Sequence, residues 1–168
     1  MSLSSRTRRG RRGQALAEIT LCLPFLLILA LGIIEVSRML EIRHVMSSLT
    51  REGANLATRG GTLEEALDVT RINQMVSGLG SEGGVVVTRI VVESGVPRVQ
   101  QQVATPVFSG MSRVGLLDSI AAPYAAAGLR ERQRYVAVEV FYPYRPITAI
   151  PRFVTGLVPE TLYDRTLF

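Results

Sequence analysis

The chain has 168 residues, 47% of them hydrophobic, and a mean hydropathy of +0.26 despite 20% charged residues. That length fits one modest domain with an appendage, and a single cysteine excludes a disulfide framework within the chain. The net charge of +5 suggests a nucleic-acid binder until its placement is read: Arg6, Arg8, Arg9, Arg11 and Arg12 form a short tail, and the other 14 arginines equal the 14 acidic residues.

Met1 to Gly13 is small, polar and basic with no apolar pattern, and reads as a disordered cytoplasmic leader. From Ile19 to Ile34 every residue is apolar or small except Thr20, and Ala15-Leu16-Ala17 carries the run backwards across Glu18. Some 20 residues of helix span about 30 Å, the thickness of a bilayer core. Arginine is concentrated before the run, whereas Glu35, Arg38, Glu41 and Arg43 mix signs after it, so the N-terminus is expected in the cytoplasm and the rest outside. A cleaved secretory signal competes with this reading, since Ala30-Leu31-Gly32 has small-x-small form. The apolar run continues through Ile33 and Ile34, which favours a retained anchor. Five arginines beside such an anchor are explained by topology and by anionic lipid, which argues against nucleic acid as a partner.

Within the run, Pro24 has no N–H for the carbonyl of Thr20, and a kink or loosened turn is expected there. Cys22 reads as a packing residue, with an anchor-to-anchor disulfide or a lipid attachment left open. Gly32 lacks the second glycine of a G-x-x-x-G pair.

Helical periodicity continues past the anchor. Ile42, Val45, Met46, Leu49, Gly53 and Leu56 share one face, and Glu41, His44, Ser48, Arg51 and Asn55 share the other. One helix is therefore expected from about Ala15 to about Thr58, ended by Gly60-Gly61. His44, the lone histidine, has no companions at ligand spacing and reads as a surface residue. Arg51 and Glu52 are candidate partner contacts, although an exposed helix face carries charges in any case.

Thr62-Leu63-Glu64-Glu65 has capping-box spacing and opens a short helix to about Val76. The "GLGSEGG" that follows matches a phosphate loop in glycine content alone; it lacks the lysine and the strand-to-helix setting. Val85–Glu93 is β-branched and reads as a strand, Ser94–Pro97 as a turn, and Arg98–Val103 as a polar return strand. Thr105 to Arg132 contains an alanine-rich piece assigned to helix. Arg134–Tyr142 alternates, with Val136, Val138, Val140 and Tyr142 on one face and Tyr135, Ala137, Glu139 and Phe141 on the other. Pro143, Pro146, Pro151 and Pro159 make an ordered loop, in which Tyr142 and Tyr144 fill the seam between sheet and helix, before a last strand at Thr161–Leu167.

The expected fold class is α+β: a long N-terminal membrane helix continuous with an amphipathic helix that covers a small antiparallel sheet. Its parts are a leader at 1–13, a transmembrane segment at 14–36, an amphipathic extension at 37–60 and an extracytoplasmic head at 61–168. No catalytic, cofactor-binding or metal-ligating constellation is visible, so the reading is a non-enzymatic protein without cofactor or small-molecule substrate. A signal-anchored or secreted envelope protein with a binding or enzymatic head is the alternative.

Gly13-Gln14-Ala15-Leu16-Ala17-Glu18 resembles the processing site of type IV pilin-like precursors: a glycine after basic residues, an apolar helix, and a glutamate five positions on. "LPFLLILALGIIEVSRML", "SSLTREGANLATRG" and "VAVEVFYPYRPITAI" are similar to three blocks of the TadE-like family of the tight-adherence (Tad/Flp) pilus system. They cover the first 60 residues and roughly the last third. The resemblance implies cleavage between Gly13 and Gln14 by a prepilin peptidase. It also implies partners among other minor and major pilin-like subunits and the inner-membrane assembly platform, besides membrane lipid. The chain departs from several relatives in having Ile19, rather than an aromatic, after the glutamate. After cleavage, Glu18 of one subunit would meet the new amine of a neighbour, and pairing would favour one axial register, because an unpaired carboxylate in an apolar bundle is penalised.

Overall fold

The computed structural model describes residues 5–148 and 159–168, with side chains from Gln14 onward. Pro151 and the leader's arginine side chains lie outside the described residues. The chain divides into a helical unit, residues 1–39 with 146–158, and a sheet unit, residues 40–145 with 159–168.

One helix, α1 (Ser5–Thr58), contributes to both. It starts earlier than the composition of the leader suggests, since the backbone of Ser5 to Gly13 is helical. Arginine is a good helix former, and glycines such as Gly10 and Gly13 weaken a helix by about 1 kcal/mol each without forbidding it.

In the sheet unit, α2 (Leu63–Gln74) opens on the expected capping box: the Thr62 hydroxyl accepts from the Glu65 N–H, and the Glu65 carboxylate accepts from the Thr62 N–H. A π-helical turn at Met75–Leu79 follows. Four strands come next: β1 (Gly84–Glu93), β2 (Val96–Ala104), β3 (Arg134–Pro143) and β4 (Thr161–Leu167). They form one antiparallel sheet in the order β2-β1-β3-β4, so the fold is α+β. The β1–β2 turn uses two positive-φ residues, Ser94 (53°) and Gly95 (75°), a mirror-image turn suited to the twist of a hairpin. The Glu131 carboxylate accepts both of their N–H groups, at 2.8 and 2.9 Å.

Each face of the sheet has its own cover. Val87 pairs with Val138 and Val85 with Val140, placing these valines on the side that meets α1 and α2. There, on α1, the expected stripe turns inward: Ile42, Met46, Leu49 and Gly53 are buried and Val45 and Leu56 half-buried, with Ala54 and Ala57 also buried beside them, while Glu41, His44, Ser48, Arg51 and Asn55 are exposed. Thr50 is buried among them and bonds Asp164 Oδ2 and the Thr166 hydroxyl of β4, each at 2.9 Å.

The opposite face, with Ile90 of β1 and Ala137 of β3, packs with Val99, Val114, Ala121 and Tyr124. Its cover is the segment 105–132, which is not the expected alanine-rich helix. Only two 3₁₀ turns form, at Pro106–Phe108 and Ala122–Tyr124. Pro123 and the left-handed Gly128 (φ 62°) bracket the alanines too closely for a helix to propagate. The backbone before them pairs with β2 instead, Val99 and Ser119 or Asp118 exchanging bonds of 3.0 Å.

Candidate functional site

Gly13 and Gln14, the pair that the resemblance marks for processing, lie inside α1, so the chain is helical across that bond. One turn on, Glu18 is exposed, and its Oε1 accepts a hydrogen bond from Gln14 Nε2 at 3.2 Å. Residues four apart share a helix face. The structure thus brings the position of the amine that cleavage would create onto the same face as Glu18. Thr20 returns its hydroxyl to the Leu16 carbonyl at 2.8 Å. Pro24 sits in the uninterrupted helix one turn further, where it leaves the Thr20 carbonyl without its usual i+4 donor.

Beyond Glu18 the helix is apolar on every side. Consecutive residues Leu26, Leu27 and Ile28 are 61%, 56% and 54% exposed, and Leu21 reaches 80%. The helix carries a window of mean hydropathy 2.5 of which 6% is buried, long and apolar enough to cross a membrane. A helix apolar all round needs an apolar surrounding, and the described residues leave this stretch largely exposed. Glu35 is the first charged residue after Glu18; it is buried and accepts the Thr148 N–H through Oε2 at 3.1 Å.

The Arg51-Glu52-Gly53-Ala54 element separates into two pairs. Arg51 and Glu52 are exposed, whereas Gly53 and Ala54 are buried. A Cβ on Gly53 would collide with the Thr70 hydroxyl of α2 and touch Val138 of β3 at 3.4 Å. The glycine therefore sets how closely α1 approaches α2 and the sheet.

One polar cluster had not been singled out from the sequence. Glu139, fully buried in β3, accepts from the Ser112 hydroxyl, from the Arg113 N–H at 2.8 Å and from the Tyr163 hydroxyl at 2.8 Å. The Arg113 guanidinium lies 4.4 Å from the Tyr163 ring centre, and Phe141 lies between the two other rings, stacked on Phe108 and tilted against Tyr163. Burial, then the bond to Glu139, pushes the Tyr163 hydroxyl well above the ordinary tyrosine range. Tyr124 is raised by burial, with Arg165 opposing. The signal in the sequence was a lone acid on the inward face of a valine strand, which must find donors to be buried there. Its evident work is to fasten the irregular segment 105–132 to the sheet.

With a helix fit to span a membrane and a four-stranded α+β unit in place, the comparison with known families falls on the same N-terminal stretch. A family model described as "TadE-like protein" matches residues 13–55, in agreement with the resemblance read from the sequence. The matched stretch includes Gly13, Gln14, Glu18, Pro24 and the Arg51–Ala54 element. No curated protein and no solved structure matches the chain.

Proposed function

We propose that this protein is a minor pilin-like subunit that works in assembly of a Tad-type pilus. The observation that carries the reading is the exposed apolar surface of α1, which continues past Glu18 and lies within the stretch matched by the TadE-like model. Membrane lipid covers it before assembly, and the apolar helices of other minor and major subunits cover it afterwards. The basic leader holds the N-terminus in the cytoplasm and the sheet unit is extracytoplasmic. Prepilin peptidase removes the leader after Gly13, and the inner-membrane platform receives the mature chain. Because α1 runs through the Gly13–Gln14 bond, cleavage requires the helix to open locally, and glycine lowers that cost by about 1 kcal/mol relative to alanine. Glu18, already facing position 14, selects the axial register by meeting the amine of a neighbouring subunit.

The test pairs two substitutions in cells with an active prepilin peptidase. Wild-type protein should begin at Gln14 by intact mass, and Gly13→Leu should retain the leader. Glu18→Gln should be cleaved normally and yet fail to assemble. Wild-type protein that still carries Met1 or Ser2 defeats the processing claim, and normal assembly of Glu18→Gln defeats the register claim.

A further inference from the structure

Glu35 follows Ile34, the last residue of the apolar run, and so stands where α1 leaves hydrocarbon if the helix spans the bilayer. Its neighbours Ile33, Ile34 and Val36 are 67%, 50% and 55% exposed, whereas Glu35 is 3% exposed. A carboxylate is costly to bury unless donors come with it. The Thr148 N–H supplies one from 113 residues further along the chain, and both residues belong to the helical unit. That bond fixes the axial height of Thr148 at the level of Glu35. The residue before it, Ile147, is 62% exposed, another large apolar side chain held open beside an apolar band.

We propose that Pro146–Thr148 is a second membrane contact, tethered by Glu35 at the outer boundary of the bilayer with Ile147 among the lipid chains. The occupant is lipid because the strap adds Ile147 to the exposed apolar band and is pinned at Glu35, the first charge after the uninterrupted apolar run. Glu35 is a positioning residue: through the oxygen that accepts the Thr148 N–H it sets the height of the strap. The inference rests on the membrane reading of α1.

The chain contains no tryptophan, so Ile147→Trp introduces a single emitter. The full chain carrying it is reconstituted in phosphatidylcholine vesicles brominated either near the headgroup or deep in the acyl chains. Leu27→Trp, within the apolar run, and Val107→Trp, at an 82% exposed position of the sheet unit, are the references. Ile147→Trp should be quenched several-fold more than Val107→Trp by shallow bromine, and less than Leu27→Trp by deep bromine. Adding Glu35→Ala should bring quenching at 147 down to the Val107→Trp level without changing that of Leu27→Trp. Glu35→Gln, which keeps an acceptor oxygen, should restore it. Quenching at 147 no greater than at 107, with Leu27→Trp still quenched, overturns the strap contact and leaves the spanning helix intact. Blue-shifted emission at 147 without bromine quenching assigns the site to a protein neighbour and overturns it as well. Quenching that survives Glu35→Ala overturns the tether. An unquenched Leu27→Trp overturns the membrane reading and this inference together.

Discussion

From Leu21 to Ile28 the large apolar side chains of α1 point outward all around its axis, each more than half exposed; from Ile42 to Ala57 the apolar residues fall on one stripe and are less than a tenth exposed at Ile42, Met46, Leu49, Ala54 and Ala57. Both stretches are rich in apolar residues on one continuous helix. The angular distribution, more than the amount, records what each stretch is built to touch. A full circle suits lipid or a bundle of like helices, and a stripe suits one sheet.

The contrast is open to attack by substitution, and the largest effect is expected at Leu49. Leu49→Ala should cost the sheet unit about 2–5 kcal/mol, because the cavity forms under a close-packed seam. Leu27→Ala should leave it within about 0.5 kcal/mol. Urea unfolding of the two full-length variants in micelles, followed by near-UV circular dichroism, makes the comparison. Similar losses would mean that both stretches of α1 are structural supports of the sheet.

Gly53 sharpens the same contrast through the sign of its effect. In an exposed helix Gly→Ala gains about 1 kcal/mol. Here the added methyl meets the Thr70 hydroxyl, and Gly53→Ala should cost about 1–3 kcal/mol. Thr70→Ala should recover part of that loss. At Gly32, where a Cβ meets nothing within 4 Å, the same change should not harm stability. A stabilised Gly53→Ala would show that α1 does not approach α2 closely.

Alkaline pH probes the other face of the sheet. The Tyr163 hydroxyl holds its proton more tightly in the folded chain than in the unfolded one. Its contribution is therefore full below the ordinary tyrosine value of about 10 and is lost as pH rises above it. The unfolding midpoint should fall above pH ~10, and Tyr163→Phe should flatten that fall. A variant with an unchanged alkaline profile would remove Tyr163 as its source.

The smallest effect is expected at the exposed pair. Arg51→Ala and Glu52→Ala should each change stability by no more than about 0.5 kcal/mol, so a defect in pilus assembly in either variant would report a partner contact. Losses above 1 kcal/mol in urea would show that these side chains support the fold instead.

Much of this architecture was legible because it rests on local periodicity. The stripe on α1, the capping box at Thr62 and the alternation of β3 each repeat over a few residues and need no knowledge of distant parts. The strand at Thr161–Leu167 was also visible, as was the Ser94-Gly95 turn. What stayed hidden is non-local. Thr50 has an ordinary place in a helix, and its bonds to Asp164 and Thr166 follow only from packing. The segment 105–132 has no period, since its backbone is satisfied piecemeal by β2 and by single side chains such as Glu139. Alanine content alone suggested a helix there, and Pro123 with the chirality of the following turn prevented it. At the candidate site, Gly13, Gln14 and Glu18 were marked by the family resemblance, and the face shared by positions 14 and 18 follows from helix geometry. The burial of Glu35 was not readable, because a donor arrives from as far along the chain as Thr148.

The bonds from Thr50 to Asp164 and Thr166 join residues 114 and 116 positions apart. Their separation sets a timetable. At about 5–20 residues per second, synthesis of β4 trails that of Thr50 by roughly 6–23 s. Throughout that interval the valines of β1, and then those of β3, emerge before the sheet is complete, while the stripe at Met46 and Leu49 waits for its full cover. The nascent chain thus presents a sticky, half-built surface for seconds after its apolar helix has been made, a window in which a folding helper would have time to bind and in which neighbouring nascent copies would be most prone to tangle.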